Sequence, residues 1–231
     1  MPTAEEILTI LKAQAQLDQL AGMARFGIKI DNRLGIQMPE LRKLGKEIGK
    51  DHHLGVELWQ SGIAEARILA GIVMEPEKLT EQQMDGMVND IDSWDIGDQT
   101  CMNLFEKTTY SWKKVPEWSR RNEEFVKRTA YGLIACLAWH NKIVNDEGFR
   151  ALFPVLAYGA QDSRKSVQKA VSWAIRNIGK RNMMLNQDAI QLAKEIRQTQ
   201  TKPARWVSSD VLRELQGDAV QNRLKKAIKK P

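Results

Sequence analysis

Apolar side chains return at spacings of three and four along almost the entire chain, and no stretch alternates β-branched and polar residues as a half-buried strand would. Ile7, Ile10 and Leu11 begin the pattern, and Val167, Ala170, Val171, Ala174, Ile175 and Ile178 state it most fully. That period gathers the apolar set on one face of an α-helix. The chain must therefore fold as helices that bury those faces against one another. Helices are expected over 3–22, 39–50, 52–60, 63–74, 80–91, 93–107, 121–138, 145–158, 163–179, 187–199, 203–216 and 217–229. Pro39 and Pro203 suit a first helical turn, Ser61, Ser93 and Asp162 are placed to cap, and Gly179 reads as a stop.

A weak repeat runs beneath this periodicity. Val126-Lys-Arg-Thr-Ala and Val167-Gln-Lys-Ala-Val each open a helix, 41 residues apart (167 minus 126), and Ala204-Arg-Trp-Val opens a third, 37 residues later (204 minus 167). Arg176 and Arg213 then occupy equivalent positions. Helix pairs at a period near 40 are the range of HEAT or armadillo repeats, which stack side by side. The expected architecture is all-α, a curved solenoid of HEAT-like helix pairs with the second helix of each pair on the concave face. No Ser/Gly-rich linker divides the sequence, so residues 1–231 read as a single HEAT-like repeat domain. A plain helical bundle is the alternative.

Charge narrows the choice of partner. The net charge is +6, and Ser163 to Asn182 contributes six basic residues (Arg164, Lys165, Lys169, Arg176, Lys180, Arg181) without one acid. A polyanion suits such a segment. The basic C-terminus, Arg223 to Lys230, reads equally well as a solvated tail. Apolar runs are too short for a membrane span, and the acidic, amphipathic start MPTAEEILTILK does not read as a secretory leader. Cys101 and Cys136 lie in no CxxC and no metal-ligand spacing, as expected of idle thiols in a reducing compartment. A cytoplasmic, nucleoid-associated monomer is expected, with no metal and no cofactor.

Motifs for phosphate loops, zinc proteases and serine nucleophiles are missing, and three histidines (His52, His53, His140) offer little for a triad. Ser93-Trp-Asp-Ile-Gly-Asp98 is different. Trp94 and Asp98 lie four apart, hence on one helical face, with Asp98 past the turn where a helix dipole would account for an acid. Trp173 and Arg176, three apart, share a face of the acid-free basic helix, and Arg128 lies on the helix before it. Each has two readings. The tryptophans are core residues or a ligand platform, Asp98 is a catalytic acid or a structural one that caps or pairs with a lysine such as Lys107 or Lys127, and the arginines grip a ligand or are solvated.

WDIGD, EEFVKRTAYG, VQKAVSWAIRNIGKRN and ARWVSSDVLREL resemble the AlkD-type DNA alkylation repair proteins, and so do RFGI…LGIQMPELRKLGKEIGKD and LWQSGIAEARILAGIVMEP in the N-terminal half. The resemblance runs in order over nearly the whole chain. It implies a DNA glycosylase acting on cationic alkylpurines, such as 7-alkylguanine and 3-alkyladenine, in double-stranded DNA. By the same resemblance Asp98 is the catalytic carboxylate and Trp94 and Trp173 pack against the deoxyribose of the damaged nucleotide. Arg128 and Arg176 are groove arginines, and Lys165, Lys169 and Arg213 join them as DNA-binding residues. It implies backbone contact with the lesion left in the stack. No lysine is placed as a Schiff-base nucleophile, so a monofunctional enzyme is expected. The rival reading is a non-catalytic DNA-binding or protein-scaffold relative.

Overall fold

A computed structural model of the chain describes residues 2–228, with the side chain of residue 228 excepted. Every regular element among the described residues is helical. The chain divides into two compact units, Met1–Ser111 and Trp112–Pro231. Among the described residues no helix is long and apolar enough to cross a membrane.

The first unit holds α1 (Ala4–Ala13), α2 (Leu20–Arg25), α3 (Met38–Ile48), α4 (His52–Gln60), α5 (Ala64–Val73), α6 (Glu81–Asp90) and α7 (Trp94–Asn103). Capping boxes start two of them: Thr3 with Glu6 at α1, and Thr80 with Gln83 at α6. The middle of the unit is α5, in contact with α3, α4 and α7. Its Ala66, Leu69 and Ala70 are fully enclosed. The residues between α2 and α3 form an irregular strap whose bonds include those to Glu65 on α5. The buried Glu65 carboxylate accepts the backbone N–H groups of Leu34 (2.9 Å) and Gly35 (2.8 Å), which offsets the cost of its burial.

The second unit holds α8 (Ser111–Ser119), α9 (Glu124–His140), α10 (Asp146–Arg150), α11 (Phe153–Gly159), α12 (Lys165–Gly179), α13 (Met183–Gln198), α14 (Lys202–Leu215) and α15 (Asp218–Ile228). Every residue of α9 from Val126 to Ala138 is buried, so it is the axis on which α12 packs. Polar rungs tie successive helices at a fixed offset. Asn177 donates to the Ala135 carbonyl (3.0 Å) and Arg164 to that of Asn122 (2.7 Å), both 42 residues apart. From α12 to α14 the offset is 38, with Ser172 donating to Asp210 (2.6 Å) and Arg176 to Glu214. These lie within one residue of the sequence periods. Bonds at increasing residue numbers on both helices mean that α12 runs parallel to α9 and α14 parallel to α12, as second helices of successive pairs must.

Several boundaries differ from the sequence expectation, each for a local reason. The predicted helix over 3–22 ends at Ala13, because the Gln16 N–H turns outward to the Leu34 carbonyl (2.7 Å) on the strap. Pro154 lacks the N–H that a continuous 145–158 helix would need, and it sits instead in the first turn of α11. Asn182 starts α13 early by accepting the Leu185 N–H (2.8 Å). The sequence pattern leaves out α8, which carries Pro116 in its interior. Burial of Val115 and Trp118 at 0% and 2% exposure outweighs that penalty. The three expected caps also act otherwise. Ser61 closes α4 rather than opening α5, and Ser93 precedes α7 without a side-chain cap. Asp162 accepts the N–H of Arg164 (3.0 Å), the residue that itself precedes α12.

Candidate nucleic-acid interface

In the first unit the candidate residues stand on α7. Ile96, Gly97, Thr100 and Cys101 form its buried side, which leaves Trp94 and Asp98 half-buried one turn apart. The Trp94 indole N–H donates to the carbonyl of Phe26 (3.2 Å), so the ring is fixed at one end while part of it stays open. Indole and carboxylate are thus carried by one rigid element. A developing cation beside them would meet the negative face of a π-system and a formal anion together.

In the second unit α12 carries a stripe. Its buried side runs through Val167, Ala170, Val171, Ala174, Ile175 and Ile178. The opposite face presents Lys165, Lys169, Trp173 and Arg176, at steps of four, four and three. Lys165 and Lys169 are exposed, whereas Trp173 and Arg176 are half-buried. Arg128 is on α9 and only 5% exposed, so little of this expected DNA contact is open at the surface. Arg213, on α14, is 76% exposed at its side chain and pairs with Asp210.

The arginine positions 176 and 213, equivalent in the repeat, meet through one acid: Asp210 pairs with Arg213 and lies 3.6 Å from Arg176 Nε. Glu214 takes Arg176 on one oxygen and Lys180 (2.8 Å) on the other. Burial pushes the Glu214 carboxyl upward, but the bonds from Lys180 and Arg176 outweigh it and hold the group below the usual glutamate value. Of the stripe's cations, Arg176 is therefore partly neutralised before any ligand arrives. Sequence reasoning missed these two acids, since their partner on α12, Arg176, lies 34 (210 minus 176) and 38 (214 minus 176) residues away on a different helix. It also missed Trp206, whose ring lies 5.6 Å beneath the Lys165 ammonium. The only available signal for Trp206 was its place in the repeat.

Among the described residues no group of three or more His, Cys, Asp or Glu side chains is arranged to hold a metal ion.

The fold has a counterpart among solved structures. A member of a family described as related to the HEAT-like repeat DNA glycosylases, with affinity for branched DNA structures, matches with a TM-score of 0.75 at 15% identity. The match covers 84% of this chain and 83% of that one, and it places the helix pairs of this chain in the HEAT-like fold. A designed armadillo repeat protein in complex with the peptide (KR)4 overlaps at a TM-score of 0.39 and 18% identity, over 81% of this chain and 79% of its own, too little to build on. No curated protein matches the sequence. The profile of DNA alkylation repair enzymes, by contrast, matches residues 7–214, which takes in α7, the α12 stripe and nearly all of both units. The chain belongs to the DNA alkylation repair enzyme family.

Proposed function

We propose that the protein is a monofunctional DNA glycosylase, hydrolysing the N-glycosidic bond of cationic alkylpurines in double-stranded DNA. The observation that carries the reading is the pairing of Trp94 and Asp98 on one half-open face of α7, in a chain of this family. An alkylated N7 or N3 makes the purine a cation and a good leaving group, so no general acid is required. As the C1′–N bond breaks, its electron pair leaves with the base and neutralises it, while positive charge develops on the sugar. Asp98 lowers that barrier electrostatically and orients the water that adds at C1′, whose proton passes to the carboxylate and on to solvent. Trp94 and Trp173 are the indoles that pack against the deoxyribose. Lys165, Lys169, Arg176, Arg213 and Arg128 hold phosphates and read no sequence.

The test is release of 7-methylguanine from a duplex containing one such base, by wild type and by Asp98→Asn. Release by wild type, and its loss in the variant with duplex affinity retained, supports the reading. A second reading, DNA binding without excision, is favoured by the acid-free stripe on α12, which would serve a binding module equally well. It predicts salt-sensitive binding and no base release by either protein.

A further inference from the structure

The strap between α2 and α3 is fastened to the first turn of α7 by a set of bonds that has no counterpart in the sequence motif. Arg33 reaches Asp95 with both guanidinium nitrogens, Nη1 to Oδ2 at 2.7 Å and Nη2 to Oδ1 at 3.0 Å. This pair is enclosed, with the Arg33 side chain 2% and the Asp95 side chain 15% exposed. The third donor of the fork, Nε, bonds the Lys29 carbonyl (2.9 Å) and so folds the strap back on itself. Ser93 completes the clamp. Its hydroxyl donates to Asp95 (2.6 Å) and accepts the Lys29 N–H (3.3 Å), where an ordinary N-cap serine would serve its own helix. Lys29 Nζ adds a bond to Asp92 (2.7 Å).

The far end of the strap is equally fixed. Leu34 and Gly35 donate to Glu65, and the Asn32 carbonyl accepts the Ala64 N–H (3.0 Å). Gly35 has φ +79°, and an added Cβ would stand 2.2 Å from the Gln16 carbonyl oxygen, so only glycine fits there. At its α2 end, ahead of these anchors, the strap delivers one group to the candidate site, the Phe26 carbonyl that takes the Trp94 indole N–H. Asp95 is the residue after Trp94 and three before Asp98 on the same helix, so a bond that fixes Asp95 also constrains the azimuth of both.

We propose that Arg33 is a positioning residue for the reaction: through its bidentate bond to Asp95 it sets the orientation of Trp94 and Asp98 at the reacting sugar. The proposal rests on the glycosylase reading of Asp98. Arg33 itself touches no substrate. A bidentate arginine fixes direction as well as distance, which a lysine at the same place does not. Small misplacements of a catalytic group, of the order of an ångström, cost about 100-fold in rate.

The experiment compares wild type, Arg33→Lys and Asp95→Asn, the last serving if Arg33→Lys does not fold. Three quantities are measured below each variant's melting temperature: single-turnover release of 7-methylguanine at saturating enzyme, duplex affinity, and the Trp94 indole N–H resonance, assigned by Trp94→Phe. The expected result is a rate about 10- to 100-fold lower with affinity within about twofold of wild type, and a displaced Trp94 resonance. An unchanged rate with an unmoved resonance overturns the proposal. So does a rate that falls only in proportion to affinity, which is the mark of general loosening. If wild type releases no base, the glycosylase reading falls on its own, and the resonance still decides whether Arg33 orients Trp94: displaced in Arg33→Lys it supports the positioning, unmoved it overturns it.

Discussion

The two units use charge in opposite ways. In the first, carboxylates are the fixed points: the buried Glu65 gathers two backbone N–H groups of the strap, and the part-buried Asp95 takes the Arg33 fork at 2.7 and 3.0 Å. The half-open product of all this bonding is small, one indole and one carboxylate on α7. In the second unit the order is reversed. Cations dominate one face of α12, and carboxylates from α14 stand behind them, Asp210 and Glu214 pairing with Arg213, Arg176 and Lys180. The first arrangement is rigid and presents an anion, as transition-state stabilisation requires. The second is a partly screened row of cations, suited to a polyanion that displaces some of its internal partners. On the glycosylase reading the carboxylate Asp98 and the row of cations belong to different units, and substitutions should separate their contributions.

The largest expected effect lies in the first unit. Asp98→Asn keeps the size of the side chain and removes its charge, so the rate of base release should fall by about 10²–10³-fold while duplex affinity stays close to wild type. Single-turnover kinetics beside a binding isotherm checks it, and an equal loss of both would place Asp98 in the grip rather than the chemistry.

The next effect tests packing. An added Cβ at Gly159 would stand 2.2 Å from the buried Tyr131 ring, whereas at Gly71 the nearest atom is the Thr100 Cα at 3.6 Å, an ordinary contact. Gly159→Ala should therefore cost about 1–3 kcal/mol through overpacking. Gly71→Ala, inside α5, should be neutral or stabilising by up to about 1 kcal/mol, from helix propensity. Denaturant midpoints measure both. A Gly159→Ala protein as stable as wild type would mean that the α11–α9 contact can give way.

Smaller again is the effect of the α12 cations. Lys165→Ala should weaken duplex binding severalfold and reduce the slope of log affinity against log salt by about one. The release rate at saturating enzyme should change less than the affinity. Trp206→Leu should do the same to a lesser degree, since the indole beneath Lys165 only holds the ammonium in place. A slope unchanged in Lys165→Ala would take that residue out of the interface.

What the sequence made legible follows from the range of each interaction. The α12 stripe could be read because its members lie within one helix, at steps of four, four and three, and the missing acids could be counted. The pairing of Trp94 with Asp98 was visible for the same reason. The Arg33–Asp95 clamp spans 62 residues, and nothing in a helical period marks its partners. Asp210 and Glu214 were equally hidden, although the 38-residue offset of their bonds is within one residue of the repeat period, and a reading that carried the period across acids as well as arginines would have found them. The burial of Arg128 was hidden for a different reason. Its place in the repeat could be read, but α9 is buried at every residue from Val126 to Ala138, and periodicity does not report how many neighbours a helix has. The missed α8 had a local cause, because Pro116 outvoted two apolar residues whose burial only the tertiary structure supplies.

The smallest expected effect depends on pH and belongs to the second unit. Asp162 accepts Arg164 Nε (2.8 Å) and Nη2 (2.6 Å) together with the Arg164 N–H, and Lys127 Nζ lies 3.4 Å away. These bonds, the arginine's first, hold the carboxyl down at about 2 against an ordinary 3.8, in spite of burial. A carboxylate depressed by folding contributes stability that is fully present above the unfolded value and is lost as pH falls through the folded one. The contribution of Asp162 should therefore be constant at neutral pH, begin to fall near 3.8 and be gone below about 2. In urea midpoints, wild type should exceed Asp162→Asn by a fixed margin at pH 5–7, and the margin should narrow between about pH 4 and pH 2. A margin that does not change with pH would show that Asp162 acts at the start of α12 by hydrogen bonding alone, which an asparagine reproduces in part, and that its charge adds nothing to the stability of the second unit.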